Sequence, residues 1–300
     1  MSEHLTRGVN CATLTPMDDA GDPQLDLLAE HCRWLLDSGC DGIVLLGTTG
    51  EANSFTLEER QAILEGVLAR GIAPTKLIVG TGCCAAGDSV ALTKHALASG
   101  VARVLMLPPF YYKNVDELGV IEAYSRTIEA VGDEALRLYL YQIPQLTGVP
   151  LGPPVIEALV GAYPGVLAGV KDSSGDWSGI AQLCERFGET IDVLAGSERY
   201  LIAALKAGAS GCVTATANAH PEMICHLYQE RQSAHAAALQ EEVTAARSSF
   251  EAYPMIAALK EFTALRTGNP MWRNLRPPLT PLDKARAEAV RLLLARAKAP

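Results

Sequence analysis

The sequence lacks any uninterrupted apolar stretch long enough to span a bilayer, any run of basic residues, any low-complexity linker, and any histidine or cysteine cluster at metal-ligand spacing. Each absence narrows the possible functions. A membrane helix needs about 20 consecutive apolar residues, and none occur. A net charge of −9 with no basic stripe argues against nucleic acid as a partner. The opening residues, Met1-Ser2-Glu3-His4-Leu5-Thr6-Arg7, have no apolar segment of the secretory type, so the expected location is the cytoplasm. The six histidines are scattered and form no H-E-x-x-H pattern, so no metal site is expected. The eight cysteines are Cys11, Cys32, Cys40, Cys83, Cys84, Cys184, Cys212 and Cys225, with no C-x-x-C pair. Several sit in apolar runs, where a free thiol behaves as a small hydrophobe. They read as reduced thiols rather than a disulfide or zinc framework.

What is present is a chain of 300 residues, 49% hydrophobic and 20% charged, with the length to bury a large core. Short β-type runs alternate with longer segments of helical periodicity. Strands are expected at 9–13, 42–46, 76–80, 104–107, 138–142, 167–171, 192–195 and 211–214. Helices are expected at 25–36, 57–69, 90–97, 118–130, 155–160, 180–187 and 200–207. Thr56-x-x-Glu59 is a capping-box signature at the start of the second helix. Ser38-Gly39, Ser99-Gly100 and Ala207-Gly208 end their helices with the residue that turns the chain back. Repeated β-α units imply parallel strands with right-handed crossovers. Eight of them fit a closed (β/α)8 TIM barrel better than an open doubly wound sheet. After Ala219 only helical patterns remain, at 221–231, 233–250, 255–266 and 281–297. The expected organisation is a catalytic barrel over 1–220 and a helical extension over 221–300, packed as one unit.

In such a barrel, chemistry gathers at the C-terminal ends of the strands. Lys171 closes the apolar run 166–171 and precedes Asp172-Ser173-Ser174-Gly175-Asp176. An amine at the end of a buried strand loses water, which favours its neutral, nucleophilic form, the form that makes Schiff bases with carbonyls. Strand two ends in Gly47-Thr48-Thr49-Gly50-Glu51, a tight loop whose amides and hydroxyls suit a carboxylate. Strand four ends in Pro108-Pro109-Phe110-Tyr111-Tyr112 and strand five in Tyr141-Gln142-Ile143-Pro144. A phenol beside such a lysine can relay protons. Taken singly, each tyrosine fits an amphipathic rim residue equally well.

Taken together and in this order, three segments carry a resemblance: Gly47-Thr48-Thr49-Gly50-Glu51, Tyr141-x-Ile143-Pro144, and Gly169-Val170-Lys171-Asp172-Ser173-Ser174-Gly175-Asp176. The chain resembles the dihydrodipicolinate synthase / N-acetylneuraminate lyase family of class I pyruvate aldolases over nearly its whole length. The resemblance implies that Lys171 forms a Schiff base with pyruvate or another 2-oxo acid. It implies Tyr141 as proton relay, and Thr48 and Thr49 as carboxylate binders. Tyr111 resembles a phenol that joins the relay from a neighbouring subunit, while Gly196, Glu198 and Val213 resemble substrate-lining positions. It further implies a homotetramer, a dimer of dimers, acting on a small-molecule 2-oxo acid and an aldehyde. No cofactor or metal is implied, because the iminium itself serves as electron sink.

The chain departs from the family's patterns in four places, one of them Gln142, which replaces the family's common asparagine after the tyrosine. Leu146 stands where true dihydrodipicolinate synthases carry an arginine for the carboxylate of aspartate semialdehyde, and an apolar side chain makes no such pair. Glu198-Arg199 replaces the Asp-Glu pair of sialic acid lyases. There Glu198 offers acceptors to substrate hydroxyls, and Arg199 either offers a guanidinium to a distal carboxylate or is a plain helix-start residue. Leu57, Arg60 and Cys84 occupy the positions of the lysine-feedback residues, so no inhibition by lysine is expected. The leading expectation is an aldolase or lyase for a 4-hydroxy-2-oxo acid or sugar-acid type substrate. The alternatives are a dehydratase or decarboxylase using the same lysine, 4-hydroxy-tetrahydrodipicolinate synthase (disfavoured by Leu146), and a non-catalytic 2-oxo-acid binding protein.

Overall fold

Eight parallel strands, hydrogen-bonded in chain order and closed by pairing of the last with the first, form the centre of the protein. The computed structural model describes residues 6–297. The barrel runs β1 (Gly8–Ala12), α1 (Leu25–Asp37), β2 (Gly42–Leu45), α2 (Leu57–Ala69), β3 (Leu77–Gly80), α3 (Ala86–Ala98), β4 (Arg103–Met106), α4 (Glu117–Val131) and β5 (Arg137–Gln142). A single turn, α5 (Pro144–Thr147), and α6 (Pro153–Ala162) lead to β6 (Leu167–Asp172). Then follow α7 (Trp177–Phe187), β7 (Asp192–Ala195), α8 (Leu201–Lys206), β8 (Gly211–Thr214) and α9 (Pro221–Gln229). The chain ends with α10 (Ala236–Glu251), α11 (Met255–Thr267) and α12 (Lys284–Ala297).

The strands are short and buried on both faces, which is why they read as apolar runs rather than alternating ones. Alternate residues still divide between two cores. Ala12, Val44, Ile78, Leu105, Tyr139 and Tyr141 fill the barrel. Their neighbours, such as Cys11, Ile43, Val79 and Leu140, pack outward against the helices. At the N-terminal mouth Asp192 accepts from the Tyr139 hydroxyl (2.8 Å), the Ser210 hydroxyl (2.8 Å) and the Thr6 amide (2.6 Å), which closes that end. All eight cysteines are free thiols, and Cys83 and Cys84 alone reach the surface. Among the described residues no helix is long and apolar enough to cross a membrane.

The capping box at Thr56 and Glu59 forms with both bonds, 2.8 and 3.2 Å. Two elements differ most from the periodicity. Helix α3 begins at Ala86, earlier than its first apolar position, because Ala86 to Ser89 add a helical turn with little to bury. Turn α5 is set by Pro144 at its start and by Gly148, at φ 65°, at its end. In addition, α9 packs on β1 and takes the ring position of the eighth barrel helix. The helices beyond the ring therefore begin with α10, a division that helical periodicity alone does not mark.

The extension grips the barrel beneath the loop after β2. Lys260 of α11 and Glu51 form an ion pair with both side chains fully buried. Lys260 Nζ also donates to the Asn274 carbonyl at 2.5 Å, and the Arg276 amide donates to Glu51 Oε2 at 3.0 Å. Burial pulls the Lys260 ammonium below its ordinary pKa, with Glu51 opposing. Arg276 further binds Glu59 (2.5 and 2.8 Å) and stacks on Phe55 at 4.3 Å. Glu51 itself sits in the left-handed region, φ 58°, a strained conformation for a non-glycine residue that these bonds hold.

Candidate active site

Strand register makes the site. Tyr141 of β5 and Lys171 of β6 are cross-strand partners at the C-terminal mouth. Both side chains are buried, and Lys171 Nζ lies 4.1 Å from the centre of the Tyr141 ring. The Tyr141 hydroxyl donates to Thr48 Oγ1 at 3.3 Å, linking the lysine wall to the loop after β2. Burial pushes the Tyr141 phenol up, but the Lys171 charge and hydrogen bonds with Thr48, Lys171 and Ser173 outweigh it. The net result is a pKa below that of free tyrosine. The phenol thus gives up its proton more readily than a free tyrosine does.

These groups open into a cavity of about 310 Å³. The cavity brings together Lys171, Tyr141, Thr48, Thr49, Gly196 and Val213. Gly196 has a steric reason to be glycine: a Cβ there would lie 2.1 Å from Ser173 Oγ and 2.6 Å from the Asp172 carbonyl. The Gly196 amide donates to that carbonyl at 2.7 Å, so β7 closes tightly on the segment after Lys171. Asp172 is buried and accepts from the Ser174 amide (2.7 Å) and hydroxyl (2.5 Å). Burial raises its pKa against those two bonds. Gln142 turns sideways and accepts from the Leu151 amide at 2.8 Å, bracing the chain after α5.

Two residues read from the sequence lie elsewhere. Tyr111 is 74% exposed, stacked edge-on with Tyr112 at 5.2 Å, and does not line the cavity. Glu198 was expected to present its carboxylate to substrate. Instead it is 1% exposed and points behind the wall, accepting from the Thr214 and Thr216 hydroxyls and from Arg247 Nη1 at 2.9 Å. The physical reason is a cluster of donors inward of it that a buried carboxylate must satisfy. Leu146 is also exposed and outside the cavity. A larger hollow of about 440 Å³ lies at the opposite pole, around Asp192 and Ser210, and holds none of the expected residues.

The rest of the wall joins residues read from the sequence with two, Arg247 and Glu251, that no local spacing marks. Arg247 and Glu251 of α10 line the cavity, with Arg199, Gln145 and Ser173. Arg247 Nε donates to Glu251 Oε1 at 2.8 Å, and Arg199 pairs with the same carboxylate and with Ser248 Oγ at 3.1 Å. Burial weakens the Arg247 charge, but Glu198 and Glu251 more than restore it, so its pKa stands above the ordinary value.

Against known proteins, the family description "Dihydrodipicolinate synthetase family" matches residues 5–297. The chain belongs to that family. A DapA-like lyase from Chloroflexus aurantiacus is 35% identical over 288 residues, covering 95% of each chain. The crystal structure of dihydrodipicolinate synthase from Agrobacterium tumefaciens superposes with a TM-score of 0.91 at 29% identity, covering 98% of this chain and 100% of that one. YagE, a prophage protein of the same family from E. coli K12 solved in complex with pyruvate, superposes at 0.89 with 25% identity, covering 98% and 99%. Dihydrodipicolinate synthetase family relatives are lyases and synthases, so the chain stands in a lyase/aldolase superfamily of enzymes.

Proposed function

We propose that this protein is a class I aldolase that joins or parts pyruvate and an aldehyde through an imine on Lys171. The observation that carries the reading is the buried Lys171 amine packed on Tyr141, whose hydroxyl reaches Thr48 in the same cavity. The presence of pyruvate in the YagE structure supports the choice of 2-oxo acid.

Lys171 Nζ attacks the keto carbon, and the carbinolamine loses water to give an iminium. The iminium draws electrons from the adjacent C–H bond, a proton leaves, and an enamine forms. The enamine carbon attacks the aldehyde carbon, whose oxygen takes a proton to become the 4-hydroxyl. Water then releases the 4-hydroxy-2-oxo acid and free lysine. The reverse path cleaves the same bond. The iminium supplies the electron sink, so the chemistry proceeds without metal or organic cofactor. Tyr141 moves the protons of carbinolamine and hydroxyl, consistent with its lowered pKa and its bond to Thr48. Thr48 and Thr49 hold the carboxylate, while Gly196 and Val213 shape the wall.

Tyr111 acts, in this reading, within a neighbouring subunit's cavity. Its exposure, with that of Tyr112, Leu118 and Leu146, supports contact with a further copy of the chain, and the family resemblance supplies the homotetramer. The neutral Leu146 argues against aspartate semialdehyde as acceptor. A dehydratase would share every group to the enamine and differ in the bond broken next.

Proton exchange tests the common step. Incubated with pyruvate in D₂O, the protein is expected to deplete the methyl proton signal in ¹H NMR far faster than buffer. A methyl signal decaying at the buffer rate would remove the enamine and the proposed function with it.

A further inference from the structure

Once Lys171 takes the keto carbon and Thr48 and Thr49 the carboxylate, the charged cavity groups left over are Arg199, Arg247, Glu251 and Asp172. Asp172 is closed on Ser174. The other three form one unit. Glu251 bridges both guanidiniums, with one oxygen to Arg247 Nε at 2.8 Å and the other to Arg199. Behind them the buried Glu198 binds Arg247 Nη1 at 2.9 Å. Two positive and two negative side chains therefore make this wall neutral in sum.

A guanidinium recognises a carboxylate best through two parallel N–H bonds from one edge. Here a resident carboxylate already occupies the position between the two arginines. A second carboxylate arriving from the substrate would meet Glu251 as a like charge and would have to displace it. A hydroxyl meets no such penalty, because it donates to Glu251 and accepts from an arginine at once. Donor capacity remains for it: Arg199 binds Glu251 and Ser248 through Nη2, and Arg247 binds its partners through Nε and Nη1, which leaves Arg199 Nη1 and Arg247 Nη2 over among the described residues.

We infer that Glu251 is a specificity-determining residue that excludes substrates with a distal carboxylate and admits those with a neutral, hydroxylated tail. The inference rests on the proposed imine chemistry and deepens it by naming the substrate class. It reverses the sequence-based option that Arg199 holds a distal carboxylate, since Glu251 already fills that role. A built-in like charge is a general means of rejecting a wrong ligand.

The test reads imine formation alone and needs no turnover. Borohydride trapping on the full-length protein is titrated with pyruvate, 2-oxoglutarate and 5-hydroxy-2-oxopentanoate. The last two are equal in length and differ only in a terminal carboxylate against a terminal CH₂OH. The wild type is expected to reach half-maximal adduct at about tenfold lower concentration of the hydroxyl-ended acid. Glu251→Gln keeps the helix propensity and the hydrogen-bonding shape but removes the charge. It is expected to shift the ratio by about tenfold toward 2-oxoglutarate, because Arg199 loses its resident anion and Arg247 keeps only Glu198 behind it. Equal trapping of the two acids by the wild type, or an unchanged ratio in Glu251→Gln, overturns the inference. So does a pyruvate adduct with neither tailed acid trapped, since this wall would then receive no tail. In all three cases the pyruvate adduct leaves the proposed function standing, whereas absence of a pyruvate adduct brings down that function itself.

Discussion

Replacement of Lys171 by alanine is expected to lower turnover by about 10⁴-fold or more, the scale on which loss of a covalent nucleophile acts. Among the described residues no other amine lines the cavity: its remaining basic groups are the guanidiniums of Arg199 and Arg247, which are poor nucleophiles toward a carbonyl. The barrel is expected to stay folded. Lys171 is the penultimate residue of β6, whose ladder to β5 and β7 is made by backbone groups that alanine retains. Steady-state rates, with circular dichroism as the check on folding, decide the matter. Activity within tenfold of wild type in a folded Lys171→Ala protein would remove the Schiff base from the mechanism.

Tyr141→Phe is expected to reduce turnover by about 10²–10⁴-fold, the usual loss for a general acid–base group. The substitution is clean, because the ring that packs against Lys171 remains and only the hydroxyl donating to Thr48 is lost. The phenol is held below its ordinary pKa chiefly by the lysine charge, against burial, so its proton is available at the moment the carbinolamine needs one. Stability should change by less than about 1 kcal/mol, because the hydroxyl's partner Thr48 is only part-buried and stays accessible to water. A wild-type rate in Tyr141→Phe would assign the relay to another group.

The barrel was legible because its signals are local. Strands buried on both faces read as short apolar runs, helices carry their own period, and glycines mark the turns between them. The core of the site was legible for the same reason: strand ends in a barrel converge, so residues ending β2, β5 and β6 meet whatever their separation in sequence. What local spacing does not mark comes from longer range. Arg247 and Glu251 lie on a helix beyond the barrel, and only the packing of α10 against the loop after β7 brings them to the cavity. A charged residue on an amphipathic helix gives no sign of facing a cavity rather than solvent. Glu198 misled in the opposite direction. Its place after β7 suggested an acceptor for substrate, but Thr214, Thr216 and Arg247 supply enough donors to turn it inward. Nothing in the periodicity of α9 distinguishes the eighth ring helix from those that follow, so the sequence alone places it with the extension.

The imine on Lys171 is open to one direct measurement. The protein is treated with borohydride in the presence of pyruvate, digested, and its peptides are mapped by mass. The proposed mechanism requires a reduced pyruvate adduct on the peptide containing Lys171, absent when pyruvate is omitted. An adduct on a different lysine, or none at saturating pyruvate, would contradict it.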